Sequence, residues 1–420
     1  MKPTRINLPA SKSIGARFLV ATYFGGTLPA DPYFEDNDDL LVLQQALLAI
    51  YSDEEPIDYG DTPVDVHASG TAFRFITAVC ASSPGADFVI TGTPRLCSRP
   101  MSPLIDVLRK AGAIITPMGL NDTGPYRISG KELEGGEFSI AGNISSQFIS
   151  ALMLVAPSWH KGMDLHFTTP LVSRPYLEMT ASLMRDFGID LELDDNHVSV
   201  KPGKYKEPEG FRVEADWSSA SFFYEACALG AGDLVLADLA SPSASCQGDA
   251  ACADIFRQLG VGSSFSDDGA LLSKQVAEVS SLEYDFRDCP DLVLPVAVGC
   301  LSLDVPFRFS GVANLRLKES DRIDSLQKES RRLGYLVDAG EDFVEWKGRR
   351  CNPDKNPVID PHDDHRVAMA FAMVALKTGS IKISHPAVVE KSFAMFWEEL
   401  PKLPLSITLE NDGMLIQKNS

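Results

Sequence analysis

Four times in this chain an Arg-x-x-Gly step lies among apolar residues, and the four glycines recur at a nearly fixed interval. The segments are Leu108-Arg109-Lys110-Ala111-Gly112, Met184-Arg185-Asp186-Phe187-Gly188, Phe256-Arg257-Gln258-Leu259-Gly260 and Arg331-Arg332-Leu333-Gly334, with spacings of 76, 72 and 74 residues. Each reads as the end of an amphipathic helix, a Gly at the C-terminal cap and then a short apolar strand. A second series runs between them, in which small or polar residues precede an apolar helical run. Its markers Ser13, Thr71, Gln147, Ser218, Asp291 and His365 are separated by 58, 76, 71, 73 and 74 residues. Five of these starts hold Ser, Thr or Asp where an N-cap sits, and Asp291, after Pro290, can serve in the same way. A period of this length means repeated copies of one supersecondary unit. The expected fold is α/β: six αβ copies, the first shortened, in two globules of three. Between the helices, short apolar strands alternate with Gly, Pro and Asp turns.

A chain of 420 residues has room for two or three domains with proper cores. Its formal charge of −20 would repel a phosphate backbone, so nucleic-acid binding is excluded as the main task. No apolar run approaches the ~20 residues that span a bilayer, and no secretory h-region follows Met1-Lys2-Pro3-Thr4-Arg5. The eight cysteines are scattered without a Cys-x-x-Cys, which reads as reduced thiols in a cytoplasmic protein.

Helix N-termini carry unsatisfied N–H groups and a partial positive charge. Repeated copies related by pseudo-symmetry can aim several such termini at one place, which suits anions. Basic residues flank most of these starts or stand in Pro-bounded loops: Lys12, Arg17, Arg74, Arg99, Arg174, Lys318, Arg322, Arg366 and Lys391. A lone Arg is ordinarily a solvated surface charge. Their recurrence in an acidic chain is what carries information.

These residues stand in motifs that resemble the 5-enolpyruvylshikimate-3-phosphate (EPSP) synthase family. The motifs are Pro9-Ala10-Ser11-Lys12-Ser13-x-x-x-Arg17, Gly70-Thr71-Ala72-Phe73-Arg74, Arg95-x-x-x-Arg99-Pro100, Ser145-Ser146-Gln147-Phe148, Ser173-Arg174-Pro175-Tyr176 and Asp216-x-Ser218-Ser219-Ala220-Ser221. Further along come Pro290-Asp291, Asn314-x-Arg316-x-Lys318-Glu319-Ser320-Asp321-Arg322, Asp364-His365-Arg366 and Lys391-Ser392-Phe393, all in the family's order. Each motif alone is weak, but the ordered set is specific.

The resemblance implies two domains, each of three inverse βαβαββ units around a pseudo-threefold axis, with the active site in the cleft between them. The boundaries it implies are 1–10 plus 216–420 for one domain and 11–215 for the other. It implies transfer of the enolpyruvyl group of phosphoenolpyruvate (PEP) to the 5-hydroxyl of shikimate 3-phosphate in the route to chorismate. No metal or organic cofactor is expected, and the expected state is a cytoplasmic monomer. PEP is expected on Lys12, Gly70, Arg99, Arg322, Arg366 and Lys391. Shikimate 3-phosphate is expected on Ser13, Arg17, Ser145, Ser146, Gln147, Ser173, Tyr176, Asp291, Asn314 and Lys318, with Thr71, Arg174 and His365 in the cleft. The planar guanidinium fork pairs bidentately with carboxylate and phosphate, and hydroxyl and amide donors suit a polyol. For proton transfer the matching groups are Asp291 at the hydroxyl, Glu319 at the methylene carbon and Lys12.

Some features leave alternatives open. Pro361-His362-Asp363-Asp364-His365 has the composition of a metal site, but no third cluster completes it. The rival within the same chemistry is UDP-N-acetylglucosamine enolpyruvyl transferase, which uses a loop Cys; Cys97 beside Arg99 raises that question. A catalytically weak anion-binding homologue is the rival outside it. The chain departs from the family pattern at Ala10, Ala68 and Phe73, and the stretch 51–67 is acidic and matches poorly.

Overall fold

Three of the helices that start at the polar markers carry apolar residues on every side, and such helices must be surrounded. A computed structural model describes residues 2–51, 63–410 and 413–419, and it places these three together in one core. They are Trp217–Leu229, Val293–Ser302 and His365–Met373, and the first and third are buried at every residue. They pack against one another at the centre of a unit made of Met1–Ser11 and Glu214–Ser420. A second unit, Lys12–Val213, has helices Lys12–Gly25, Gly70–Ala81 and Ser146–Val155 packed together in the same way.

Around each core lie small sheets of one recurring topology. In the first unit the strands Thr4–Ile6, Leu234–Ala237, Gly269–Lys274 and Val261–Ser266 form one sheet in that order. Its first pair is parallel and the other two pairs are antiparallel. The same order and polarity recur in the sheets that begin with Leu282–Asp285 and Val358–Ile359. They recur twice in the second unit, in the sheets that begin with Val64–Asp65 and Gly136–Ile140. The shortened first copy consists of helices Lys12–Gly25 and Asp38–Tyr51, with no strand among its described residues. The acidic stretch 51–67, expected to match poorly, lies largely outside the described residues.

The four Arg-x-x-Gly steps end the outer helices Ser102–Ala111, Arg174–Asp186, Cys252–Gln258 and Arg322–Arg332. Gly112, Gly188, Gly260 and Gly334 all have φ between 83° and 112°, the left-handed geometry that lets the chain turn back toward a strand.

The chain leaves and re-enters the first unit along two adjacent segments. Ala10 bridges Ala215 in antiparallel fashion, Ser11 N–H donates to Glu214 O at 2.8 Å and Asp216 N–H donates to Pro9 O at 3.0 Å. Gln247 locks the junction: its Oε1 accepts from Ser11 Oγ and Trp217 N, and its Nε2 donates to Ala215 O.

Candidate active site

The polar residues at the starts of the buried helices have two fates. Some are caps: Ser69 Oγ accepts from Ala72 N, Asp216 Oδ2 from Ser219 N and Asp364 Oδ1 from Arg366 N. Asp291 is not a cap, contrary to the expectation from Pro290-Asp291. It lies in a single 3-10 turn, Pro290–Leu292, ahead of helix Val293–Ser302, and its carboxylate faces cations instead.

That carboxylate is the centre of a charged cluster in the first unit. Asp291 Oδ1 accepts from Arg322 Nη1 at 2.7 Å and lies 3.5 Å from Lys318 Nζ; Oδ2 accepts from Arg366 Nη2 at 3.0 Å. Arg322, 2% exposed, is the hub. Its Nη2 donates to Glu319 Oε2 at 3.0 Å and its Nε to Asp364 Oδ2 at 2.8 Å. Lys391 Nζ stands 3.9 Å from the other Glu319 oxygen. Four separated stretches of sequence thus converge: 291, 318–322, 364–366 and 391. Burial by itself would push Asp291 up, but Arg366, Lys318 and Arg322 outweigh it and hold the carboxyl well below the usual range. Against the opposing effect of burial, Asp364, Glu319 and Asp291 keep Arg322 firmly charged, and Asp291, Asp249 and Asp216 do the same for Arg366. His365 is fully buried at the start of its helix, and the amide oxygen of Asn314 is buried in the turn before Lys318.

The second unit holds a second group. An added Cβ on Gly70 would lie 2.8 Å from Arg74 Nη1, 3.0 Å from Arg99 Nη1 and 3.8 Å from Gln147 Oε1. Glycine at position 70 therefore lets two guanidinium groups and an amide close on one backbone position. Gln147 Nε2 donates to Thr71 Oγ1 at 3.0 Å, while its Oε1 is buried with no hydrogen-bond partner among the described residues. Ser145 and Ser146 open the helix that carries Gln147. Lys12 Nζ pairs with Asp39 Oδ2 at 3.1 Å.

Arg17 is engaged by the protein itself. Its guanidinium, beneath the surface, donates to Thr180 Oγ1, Ser150 Oγ, Ser13 O and Tyr176 O, tying three helices together. Ser13 and Tyr176 meet it through their backbone carbonyls. Ser173 occupies a left-handed position (φ 54°) just before helix Arg174–Asp186. Arg174 donates to Glu178 Oε1 at 2.7 Å and pairs with Asp195, so its guanidinium is held by two exposed carboxylates.

At the two clusters, two carboxylates escaped the sequence reading and the role of a third was only half visible. Asp39 lies in an acidic run that looks like a solvated helix start. Asp364 looks like a cap, yet it also anchors Arg322. Asp249, in the 3-10 turn Gly248–Ala251, has no marker in the repeat at all. Its Oδ2 accepts from Ser218 Oγ, and burial followed by the charge of Asp291 pushes its carboxyl up to about 7, against the pull of Arg366 and Ser218.

The histidines of Pro361-His362-Asp363-Asp364-His365 diverge. His362 Nε2 pairs with Glu329 Oε1 at 2.9 Å, whereas His365 is buried at the helix start. Among the described residues no three His, Cys, Asp or Glu are grouped to hold a metal ion. Among the same residues, no helix is long and apolar enough to cross a membrane.

The order of these residues can now be set beside known proteins. The family model described as EPSP synthase (3-phosphoshikimate 1-carboxyvinyltransferase) matches residues 36–400. The chain belongs to the EPSP synthase family. A 3-phosphoshikimate 1-carboxyvinyltransferase of Bacteroides fragilis is 40% identical over 407 residues, covering 96% of this chain and 95% of the relative. One from a Sulfurovum species is 32% identical over 429 residues, covering 96% and 98%. Two solved EPSP synthases of Acinetobacter baumannii share the fold, with TM-scores of 0.67 and 0.70 at 23% and 22% identity. They cover 96% and 97% of this chain and 96% and 98% of their own. As an EPSP synthase family member the chain is a transferase of the carboxyvinyl group. Cys97, which raised the sugar-nucleotide alternative, is 7% exposed in a short helix, Pro94–Cys97, with its thiol donating to Gly92 O at 3.5 Å.

Proposed function

We propose that both clusters serve the family's reaction, transfer of the enolpyruvyl group of PEP to the 5-hydroxyl of shikimate 3-phosphate with release of phosphate. The carrying observation is Asp291 held by Lys318, Arg322 and Arg366, with Glu319 on another arm of Arg322. In this reading the PEP anions are taken by Arg322, Arg366 and Lys391, and by Lys12, Arg99 and the open backbone at Gly70. Shikimate 3-phosphate is taken by Ser13, Arg17, Ser145, Ser146, Gln147, Ser173, Tyr176, Asp291, Asn314 and Lys318. The amide oxygens of Gln147 and Asn314, buried with no hydrogen-bond partner among the described residues, suit hydroxyl donors. The reaction is placed in the cytoplasm, carried out by a monomer.

The chemistry is addition followed by elimination. The 5-hydroxyl oxygen attacks C2 of PEP as its proton leaves to a base and C3 accepts a proton from an acid. The tetrahedral ketal phosphate then loses a proton from C3 as the C2–O bond to phosphate breaks. Without substrate, Asp291 is too acidic to be a good base, because three cations stabilise its charge. Anionic substrates compete for those same cations. As they draw Arg322, Arg366 and Lys318 away, the basicity of Asp291 rises where the hydroxyl proton must go. Glu319, released from Arg322 and Lys391 in the same exchange, serves the methylene carbon, and Lys12 is the third proton-transfer group.

The test is phosphate release from PEP with shikimate 3-phosphate or UDP-N-acetylglucosamine as acceptor, run on the wild type, Asp291→Asn and Glu319→Gln. Turnover with shikimate 3-phosphate alone is expected, and each variant should lower kcat by roughly 10²–10⁴-fold while substrate binding survives better. Near-normal turnover of either variant removes that carboxylate from the mechanism.

A further inference from the structure

The loop before helix His365–Met373 has an unusual backbone. His362 (φ 52°) and Asp363 (φ 59°) are both left-handed, and neither is glycine. Such conformations persist only where the surroundings impose them. The surroundings here centre on Glu329, a fully buried carboxylate two turns along the helix that Arg322 begins. Its Oε1 faces His362 Nε2 at 2.9 Å. Its Oε2 accepts from Asp360 N at 3.1 Å and forms an ion pair with Arg332, whose Nε lies 2.9 Å away. Within the loop, His362 N donates to Asp360 Oδ1 and Asp364 N to Pro361 O.

Arg322 and Glu329 are seven residues apart, which places them on one face of their helix. Arg322 grips Asp364, and Glu329 grips Asp360 and His362. The loop is thus fastened along the helix at both ends. Asp364 then caps the next helix through Arg366 N at 3.0 Å, and Arg366 reaches Asp291. A buried carboxylate is costly unless paired, so its spending on a loop calls for a reason.

We propose that Glu329 and His362 are positioning residues for Arg366: the pair fixes the left-handed loop, and the loop sets where the Arg366 guanidinium stands. The inference rests on the reading of Arg366 as a PEP-binding group. Loss of the clasp should therefore weaken PEP and spare the other substrate.

The experiment measures kcat and both KM values for Glu329→Ala, Glu329→Gln, His362→Asn and Arg366→Lys, with folding checked by thermal unfolding. Asn tolerates the left-handed region but is too short to reach Glu329, so His362→Asn removes the clasp with little risk to the fold. Glu329→Ala and His362→Asn are each expected to raise KM for PEP about ten-fold, with KM for shikimate 3-phosphate within about two-fold. The double variant should be no worse than the worse single, since the two act as one unit. Glu329→Gln, which keeps one acceptor oxygen, should recover most of the loss. If Arg366→Lys raises KM for PEP but a folded His362→Asn does not, the positioning role is wrong and the reading of Arg366 stands. Equal rises in both KM values would make the pair a general structural support and overturn the proposal. An unchanged KM for PEP in Arg366→Lys would overturn the reading beneath it, and the proposal with it.

Discussion

Glu225 gives the sharpest physical test of the fold. It lies in the fully buried helix Trp217–Leu229, and neither of its carboxyl oxygens has a hydrogen-bond partner among the described residues. Its stem packs over Gly299, where an added Cβ would lie 3.5 Å from Glu225 Cγ and 3.6 Å from Phe256. Burial raises its carboxyl well above the ordinary 4.5. The native unit therefore keeps a proton that the unfolded chain releases once the pH passes that ordinary value. Because the native state binds the extra proton, stability falls as pH rises from about 4.5 to the folded-state pKa. One proton gives a slope of at most about 1.4 kcal/mol per pH unit, so the loss between pH 5.5 and 7.5 is at most about 2.5 kcal/mol. For a unit of about two hundred residues this is on the order of 5–10 °C in Tm. Glu225→Gln keeps the shape and removes the titration. Its own amide costs are independent of pH and shift the whole curve without tilting it. Urea unfolding of both proteins across that interval should give a difference that grows with pH in favour of the variant. Parallel stability profiles would mean that Glu225 ionises within the fold beside a compensating group, and the argument from burial would fail.

Other outcomes follow from the same geometry. Asp249, pushed up to about 7, gains a negative charge beside Arg366 as pH rises through neutrality. Asp249→Asn should flatten this, so the variant-to-wild-type ratio of kcat/KM for PEP should climb between pH 6 and 8.5, by up to about ten-fold; a constant ratio would contradict it. Gly70→Ala places a methyl 2.8–3.0 Å from the Arg74 and Arg99 guanidinium groups, which must shift. KM for PEP should then rise while the melting temperature barely moves, because both neighbours are ends of flexible side chains. Arg17→Lys breaks a buried set of hydrogen bonds joining three helices, and calorimetry should show a loss of about 3 kcal/mol. Cys97→Ser should leave turnover within a few-fold, since among the described residues the thiol's hydrogen-bond partners are its near neighbours Gly92 O and Thr91 Oγ1; a folded but inactive variant would reopen the sugar-nucleotide reading.

The repeat was legible in the sequence because it rests on local physics. A left-handed Gly after an amphipathic helix and an apolar run after a small polar residue are decided within a few residues, so Gly112, Gly188, Gly260 and Gly334 announced themselves. The family, too, was legible, from motifs whose order needs no third dimension. What each polar residue at a helix start would do was not. Asp364 and Asp291 look alike in sequence, yet one caps a helix and anchors Arg322 while the other faces three cations. The difference depends on Lys318, Arg322 and Arg366, which reach Asp291 from up to 75 residues away. Arg17 and Arg174 also look alike, but one is drawn into a buried knot and the other out to Glu178 and Asp195. Asp39, Asp249 and Glu329 left no mark in the pattern, because a carboxylate is defined by what burial and its neighbours do to its charge. Periodicity is fixed along the chain. Charge pairing and burial are fixed only when distant segments meet, and that is why the tertiary structure alone decided which of this chain's many acids and bases stand together.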